Sequence, residues 1–297
     1  MISLSQAAPP AAIPVTDIDV SVVLPVFNEA TYLAKCLESL LRQTGCRFEV
    51  LVVDDGSKDA TPAILSGFAA RDSRVRIFRQ ERRGPGAARN LAASEARGAI
   101  LAFCDGDMEF DPTYLVRLIA PILRGDAVGT FSKEEYVANY HKVWARCWNI
   151  NDGMASNRRH PDDWPDRHEV FRAVRRDAFV RVQGFKPLGS GDDGTLAPKL
   201  GELALAAPGA VCYHYNPESL GEAFRSARWY ARGRRIPATW RNVLTHTPPV
   251  SLKRSVRRAF RYRLPQFVLL KLVVDAGILT GLCEKQLKRL RRVGQHG

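Results

Sequence analysis

Between residues 20 and 103 the chain alternates short apolar runs with helix-like stretches, and this rhythm constrains the fold more than any other feature. Val20-Ser21-Val22-Val23-Leu24 is a β-rich run expected to end at Pro25. Phe48 to Val53, Val75 to Phe78 and Ala99 to Phe103 are further runs of the same kind. Between them, Glu29 to Gln43 places Leu33, Leu37, Leu40 and Leu41 at helical spacing. Asp59 or Thr61 can cap a helix with Pro62 in its first turn, and Gly84 to Ala96 is Ala-rich after a Gly/Pro opening. Buried strands alternating with helices predict βαβ units, hence an α/β fold with a mostly parallel sheet covered by helices on both faces.

Ligands of such open sheets bind beyond the carboxyl ends of the strands. Three of those ends carry polar clusters: Pro25-Val26-Phe27-Asn28-Glu29, Asp54-Asp55-Gly56-Ser57 and Asp105-Gly106-Asp107. Asp105 and Asp107 lie two apart on an extended chain and can converge on one point. Left alone they would repel, raising one pKa. A hard cation such as Mg²⁺ or Mn²⁺, its shell completed by substrate phosphates, resolves that conflict. For an isolated Asp-Gly-Asp a β-turn is the better account, but three polar clusters on one sheet edge are not explained by turns alone.

Beyond Asp107 the pattern loosens. Helices are expected over Thr113–Leu123, residues 135–150 (with Tyr136, Tyr140, Trp144 and Trp148 at i+4 spacing), Arg176–Val182 and Ser219–Gly233. Strands are expected over Ala127–Phe131, Val170–Val174 and Val211–Tyr215, a loop over 151–168, and a Gly-rich loop over Gly184–Gly194 followed by a helix into Leu205. Six cysteines without metal spacing point to ordinary thiols in a reducing compartment. The Ala/Pro-rich residues 1–18 read as a loose lead-in without signal-peptide character.

The net charge of +13 is concentrated at the C-terminus: residues 221–297 hold 18 Lys/Arg against Glu222, Asp275 and Glu284. A basic extension over 236–297 on a near-neutral body calls for an anionic partner. Leu264 to Cys283 is apolar but for Lys271 and Asp275. Its apolar residues favour insertion by roughly 0.3–0.6 kcal/mol each, while each central charge opposes it by about 2.5–3.5 kcal/mol, so spanning is left undecided. Basic flanks favour a helix lying on an anionic leaflet; packing on the domain is the alternative. No nucleic-acid motif is present.

The segments VSVVLPVFNEATYLAKCLESLLRQT, FEVLVVDDGSKDATPAIL, RRGPGAARNLAASEARGAILAFCDGD and GFKPLGSGDDGTL resemble the family 2 glycosyltransferases of the Rossmann-like GT-A fold, over roughly residues 19–235. The resemblance implies a nucleotide-diphosphate sugar donor, with UDP favoured, a Mn²⁺ or Mg²⁺ cofactor, and a glycan or lipid-linked acceptor. Pro25, Asn28 and Glu29 would border the nucleotide, and Asp55 would contact base or ribose, with Asp54 either joining it or capping the next helix. Gly84 and Arg89 belong to the loop and helix that hold the nucleotide. Asp107, and Asp105 indirectly, would address the metal and ribose. The resemblance makes Asp193 the candidate general base and Asp192 its neighbour, with helix-capping aspartates the alternative; Asp192 replaces the commoner Glu and Thr195 replaces a further Asp. His214 is a further candidate metal or diphosphate ligand, and a structural strand-end His is the alternative. Arg225, Arg228 and Trp229 match an R-x-x-R-W motif whose guanidiniums could hold diphosphate oxygens, or form a solvated face. Trp144 and Trp148 could stack on an acceptor sugar, though core packing suits their spacing better. The expected location is cytoplasmic, or peripheral on the inner face of the membrane. A sugar-phosphate nucleotidyltransferase is disfavoured because Pro25 to Glu29 contains neither Gly nor Arg. A non-catalytic membrane-associated binding protein on the same scaffold is a third possibility.

Overall fold

Four parallel strands form the nucleus of the molecule: β1 (Val20–Val26), β2 (Phe48–Asp54), β3 (Val75–Arg79) and β4 (Ile100–Phe103), in spatial order β3-β2-β1-β4. The computed structural model describes residues 17–187, 191–233 and 239–293. Helices α1 (Leu33–Leu41), α2 (Thr61–Ala69) and α3 (Pro85–Ser94) make the crossovers. Alternation along the strands sorts their side chains. Val20, Val22, Leu24, Val50 and Val52 pack with Leu33, Leu37 and Leu40 of α1. Val23, Leu51 and Val53 pack with Ala88 and Ala92 of α3 on the other face. Each fully buried Leu or Val contributes about 1.5–3 kcal/mol, which explains why the nucleus is so evenly apolar.

The chain then continues through β5 (Met108–Phe110), α4 (Tyr114–Leu123), β6 (Gly129–Phe131), β7 (Glu134–Val137), α5 (Val143–Asn151), β8 (Arg167–His168), β9 (Ala173–Arg175) and α6 (Arg176–Arg181). Next come α7 (Leu196–Leu200), β10 (Ala204–Ala206), β11 (Val211–His214), α8 (Leu220–Arg232), α9 (Trp240–Thr245), α10 (Pro248–Tyr262) and α11 (Gln266–Val293). Antiparallel β9 joins the free edge of β4, and β6, β10 and β8 complete an eight-stranded sheet. A second sheet, β5-β11-β7, stands beside it.

Several expectations are corrected. β1 runs through Pro25 to Val26, paired with Val53 and Asp54. The carbonyl of Val23 faces β4 and accepts from Cys104, while that of Val26 faces β2 and accepts from Asp55. By alternation Pro25 faces the β4 side where that strand has already ended, so its missing N–H costs no ladder bond. Residues 135–150 are not one helix: Tyr136 lies on β7, and α5 begins only at Val143. Leu205 lies on β10, not in a helix. Trp148 is buried with Cys147 and Ile150 against α8 and α11, in agreement with core packing. The lead-in at 1–16 and the boundary expected at residue 235 lie outside the described residues.

The C-terminal helices dock through small residues. Ala223, Ala227 and Ala231 of α8 meet Gly277 and Gly281 of α11, so the backbones approach closely. A Cβ at Gly281 would lie 2.5 Å from the carbonyl oxygen of Arg228, and one at Gly277 2.6 Å from that of Phe224. Gly281→Val is therefore expected to destabilise the protein by about 1–3 kcal/mol through overpacking, read as a lowered Tm in scanning calorimetry. Gly67→Ala on α2, where a Cβ meets nothing within 4 Å, is expected to raise Tm slightly. Equal effects from the two substitutions would rule out close packing as the cause.

Lys271 and Asp275 are drawn inside this bundle. Asp275 is 4% exposed, lies 2.6 Å from His246 Nδ1, and also accepts from Ser251 Oγ and Lys271 Nζ. Among the described residues one stretch, Gln266–Leu287, is long and apolar enough to cross a membrane, and 44% of its most apolar part is buried inside the protein.

Candidate active site

The loops after β1 and β2 are tied together by their own polar groups. Asn28, in the left-handed region at φ 55°, donates its N–H to Ser57 Oγ at 2.9 Å, and its Oδ1 accepts from the Lys58 N–H at 2.8 Å. The Glu29 N–H donates to Thr61 Oγ1 at 2.9 Å. Asp54 Oδ1 accepts from the Ser57 N–H at 2.8 Å, closing a local turn. Asp55 Oδ1 accepts from Gln80 Nε2 at 2.7 Å and the Arg83 N–H at 2.8 Å, while its Oδ2 accepts from the Gly84 N–H at 2.8 Å. This buried carboxylate thus fixes the 80–84 loop and the start of α3. Gly84 enters that helix at φ 92°, a value few other residues adopt. Above this loop the Arg82 guanidinium sits 3.5 Å from the Phe27 ring centroid.

At the end of β4 the two aspartates separate in role. Asp105 Oδ1 is 2.8 Å from Arg89 and its Oδ2 is 2.8 Å from Arg172. Burial would raise its pKa, but the two guanidiniums hold the carboxyl well below the usual carboxylate range. Each carboxylate oxygen thus already has an arginine partner. Arg172 also lies 3.6 Å from Glu135, which pairs with Arg159 at 2.9 Å and sits 3.7 Å from His160. Burial opposes ionisation of Glu135, yet Arg172, the hydrogen bond with His160 and Arg159 hold it well below its ordinary value.

Asp107 faces a different surrounding. His214 Nε2 lies 3.6 Å from its Oδ1. The contact exists because β11 runs antiparallel to β5 with His214 opposite Met108. Burial pushes the Asp107 carboxyl up, and His214 opposes that rise. Glu29 is pushed up to about 9 by burial and then by Asp107 and Asp105. Gly106 lets this cluster close, since a Cβ there would lie 3.2 Å from Glu29 Cγ. Protonation of Glu29 or a bound cation would each relieve the crowding of these carboxyls. Among the described residues no group of three His, Cys, Asp or Glu is gathered into a metal cage. Asp107 and His214 nevertheless form a partial oxygen and nitrogen donor set. Such a set suits a divalent ion that keeps waters and takes substrate phosphates as its remaining ligands.

The second acidic pair lies against the same arginine. Asp192, 2% exposed, places Oδ1 3.1 Å from Arg89. Its Oδ2 is buried without a hydrogen-bond partner, and burial raises its pKa against the pull of Arg89. Gly86 makes room for it: a Cβ there would stand 2.4 Å from that Oδ2. Asp193, partly exposed, opens the one-turn 3₁₀ segment Asp193–Thr195, and its Oδ1 accepts from the Gly194 N–H at 3.0 Å. Arg89 therefore bridges the aspartate at the end of β4 to Asp192, which lies 103 residues beyond Arg89 in sequence.

The R-x-x-R-W residues do not join these groups in the structure. Arg228 pairs with Glu284 of α11, with Arg232 3.2 Å from the same carboxylate. Arg225 is exposed, and Trp229 is 40% exposed with its ring 5.2 Å from that of Tyr230. In this structure the Arg228 guanidinium thus serves the α8–α11 joint. Arg172, Glu135 and Arg159 were not foreseen. The one sequence signal was an arginine set between Phe171 and Ala173 in an apolar run.

A model of the family described as "Glycosyl transferase family 2" matches residues 21–182. Succinoglycan biosynthesis protein ExoO of Rhizobium meliloti is 44% identical over 112 residues, 37% of this chain and 31% of that protein. Glycosyltransferase GlyG of Streptococcus pneumoniae is 40% identical over 89 residues, 30% of each chain. These matches thus span about a third of the relatives' own length. The fold is shared with the mannosyltransferase PcManGT of Pyrobaculum calidifontis, solved with GDP-Man and Mn²⁺, at a TM-score of 0.60 and 20% identity over 95% of this chain and 92% of that one. It is also shared with S. aureus TarS in complex with UDP-GlcNAc, at a TM-score of 0.57 and 17% identity over 91% and 92%. Since the family model covers more than half of the sequence, the chain belongs to glycosyl transferase family 2.

Proposed function

We propose that the protein is an inverting, divalent-metal-dependent glycosyltransferase that moves a sugar from a nucleotide-diphosphate sugar, with UDP the favoured nucleotide, to an acceptor hydroxyl. The observation that carries this is the continuous chain of contacts Asp105–Arg89–Asp192, which sets the acidic pair Asp192-Asp193 beside the carboxyl end of β4. Pro25 to Glu29 and the 80–84 loop organised by Asp55 border the donor. Asp107 and His214 would hold Mn²⁺ or Mg²⁺, whose chemistry is to neutralise charge developing on the diphosphate. Asp193 takes the proton from the acceptor hydroxyl as that oxygen bonds to the anomeric carbon. The bond from that carbon to the diphosphate oxygen breaks on the opposite face, and the electron pair leaves with the nucleotide. Asp192 keeps Arg89 in place between the two halves.

The acceptor we favour is a lipid-linked or cell-envelope glycan, reached from the cytoplasmic side with the basic tail against an anionic membrane. A succinoglycan biosynthesis protein among the relatives and the clustered C-terminal charge support it. The test is a thermal-shift and nucleotide-release screen of UDP- and GDP-sugars with and without Mn²⁺. We expect one donor to raise Tm and to yield nucleoside diphosphate only with the metal. Neither stabilisation nor release from any donor would remove the enzyme reading. Full release in the presence of a chelator would remove the metal.

A further inference from the structure

The charges of the C-terminal helices are spent unequally. Arg228, Arg232 and Lys271 are committed to Glu284 and Asp275 within the bundle. Arg258, though exposed, donates to the carbonyl oxygens of Ile150 at 3.2 Å and Asn151 at 3.3 Å. Lys253, Arg254 and Arg257 are exposed and, among the described residues, pair with no carboxylate.

α10 sorts its side chains into parallel ridges at i,i+4 spacing. Ser251, Ser255 and Ala259 form the buried seam toward the rest of the bundle. The next ridge is Leu252, Val256 and Phe260, exposed by 43%, 52% and 89%. Alongside it run Lys253, Arg257 and Arg261, all exposed. A soluble face gains nothing from an apolar ridge of this kind. Joined to a basic ridge that, among the described residues, meets no carboxylate, although Arg261 also lies 5.5 Å from the Tyr262 ring centroid, it matches the two layers of an anionic leaflet, acidic headgroups and the acyl boundary beneath them.

We propose that the outward face of α10 is the surface by which this protein lies on an anionic membrane, with Phe260, Val256 and Leu252 entering the acyl boundary and Lys253, Arg257 and Arg261 at the headgroups. The inference rests on the peripheral-membrane reading above and moves the attachment from the apolar helix α11 to α10. Polyanion binding by nucleic acid would use the basic ridge but not the apolar one.

The experiment is sedimentation of the full chain with vesicles of phosphatidylcholine alone or mixed with phosphatidylglycerol. The protein should partition onto the mixed vesicles and not onto neutral ones. Lys253→Gln with Arg257→Gln should lower partition by roughly tenfold or more, and Phe260→Ser with Val256→Ser should lower it comparably. Nucleoside diphosphate release from a soluble donor and Tm should stay unchanged in both. Leu269→Ser with Leu272→Ser on α11 should leave partition intact.

No binding of the unaltered protein to mixed vesicles overturns the peripheral reading and this proposal together. Binding that survives both α10 variants overturns the proposal alone. Loss on the charge variant with full retention on the apolar variant shows a polyanion surface and also overturns it.

Discussion

Asp193→Asn is expected to lower kcat by about 10²–10⁴-fold, the range for loss of a general base, with donor affinity unchanged. Asn preserves the shape and the hydrogen bond from Gly194 but cannot take a proton. Asp193 is partly exposed at the start of its 3₁₀ turn, so an acceptor hydroxyl can reach its carboxylate. Asp192 is different: it is buried and paired with Arg89. Asp192→Asn should act on stability and donor KM, because it loosens the arginine that also clasps Asp105. Single-turnover rates with saturating donor, donor titrations and urea unfolding separate the two. If Asp192→Asn abolished turnover at unaltered stability while Asp193→Asn turned over normally, the roles would be reversed.

The parallel nucleus was legible because β1, β2 and β4 are short runs buried along nearly their whole length, while the segments between them carry apolar residues at helical spacing. The strand ends at Asn28, Asp55 and Asp107 were legible for the same reason, since a parallel sheet brings its carboxyl ends to one edge. The short strands were not. β5, β8 and β10 have two or three residues each, too few to carry a period, and they exist only because partners distant in sequence pair with them. Tyr136 was misplaced because Tyr136, Tyr140, Trp144 and Trp148 satisfy helical spacing, although a strand and a turn supply the first two. Half of the site's electrostatic skeleton, Arg172 with Glu135 and Arg159, was hidden. Ala102 of β4 pairs with Ala173 of antiparallel β9, which sets Arg172 beside the end of β4 and hence near Asp105. No local pattern encodes a contact between residues 67 apart.

That skeleton leads to a large effect on stability. Arg172→Ala is expected to cost about 3–5 kcal/mol, as for removing one partner of a buried ion pair. Arg172 is 16% exposed and serves two carboxylates, Asp105 and Glu135, of which Glu135 is 6% exposed. Its loss leaves Asp105 with Arg89 alone, and Glu135 with Arg159 and His160. Arg172→Lys should recover only part, because one ammonium cannot present the guanidinium fork to two acceptors. Asp105→Asn in the Arg172→Ala background should also recover part, since it removes a charge left short of its partner.

The pH dependence supplies an independent check. Glu135 has a folded-state pKa held well below its ordinary value by Arg172 and its neighbours. Its contribution is therefore present above the unfolded pKa, near 4.3 or so, and is lost as pH falls through the folded one. The stability gap between Arg172→Ala and the unaltered protein should be widest near neutrality and narrow in acid. Urea midpoints at several pH values measure it. A gap that is absent, or that widens as Glu135 becomes protonated, would mean that Arg172 contributes through packing and not through these two carboxylates.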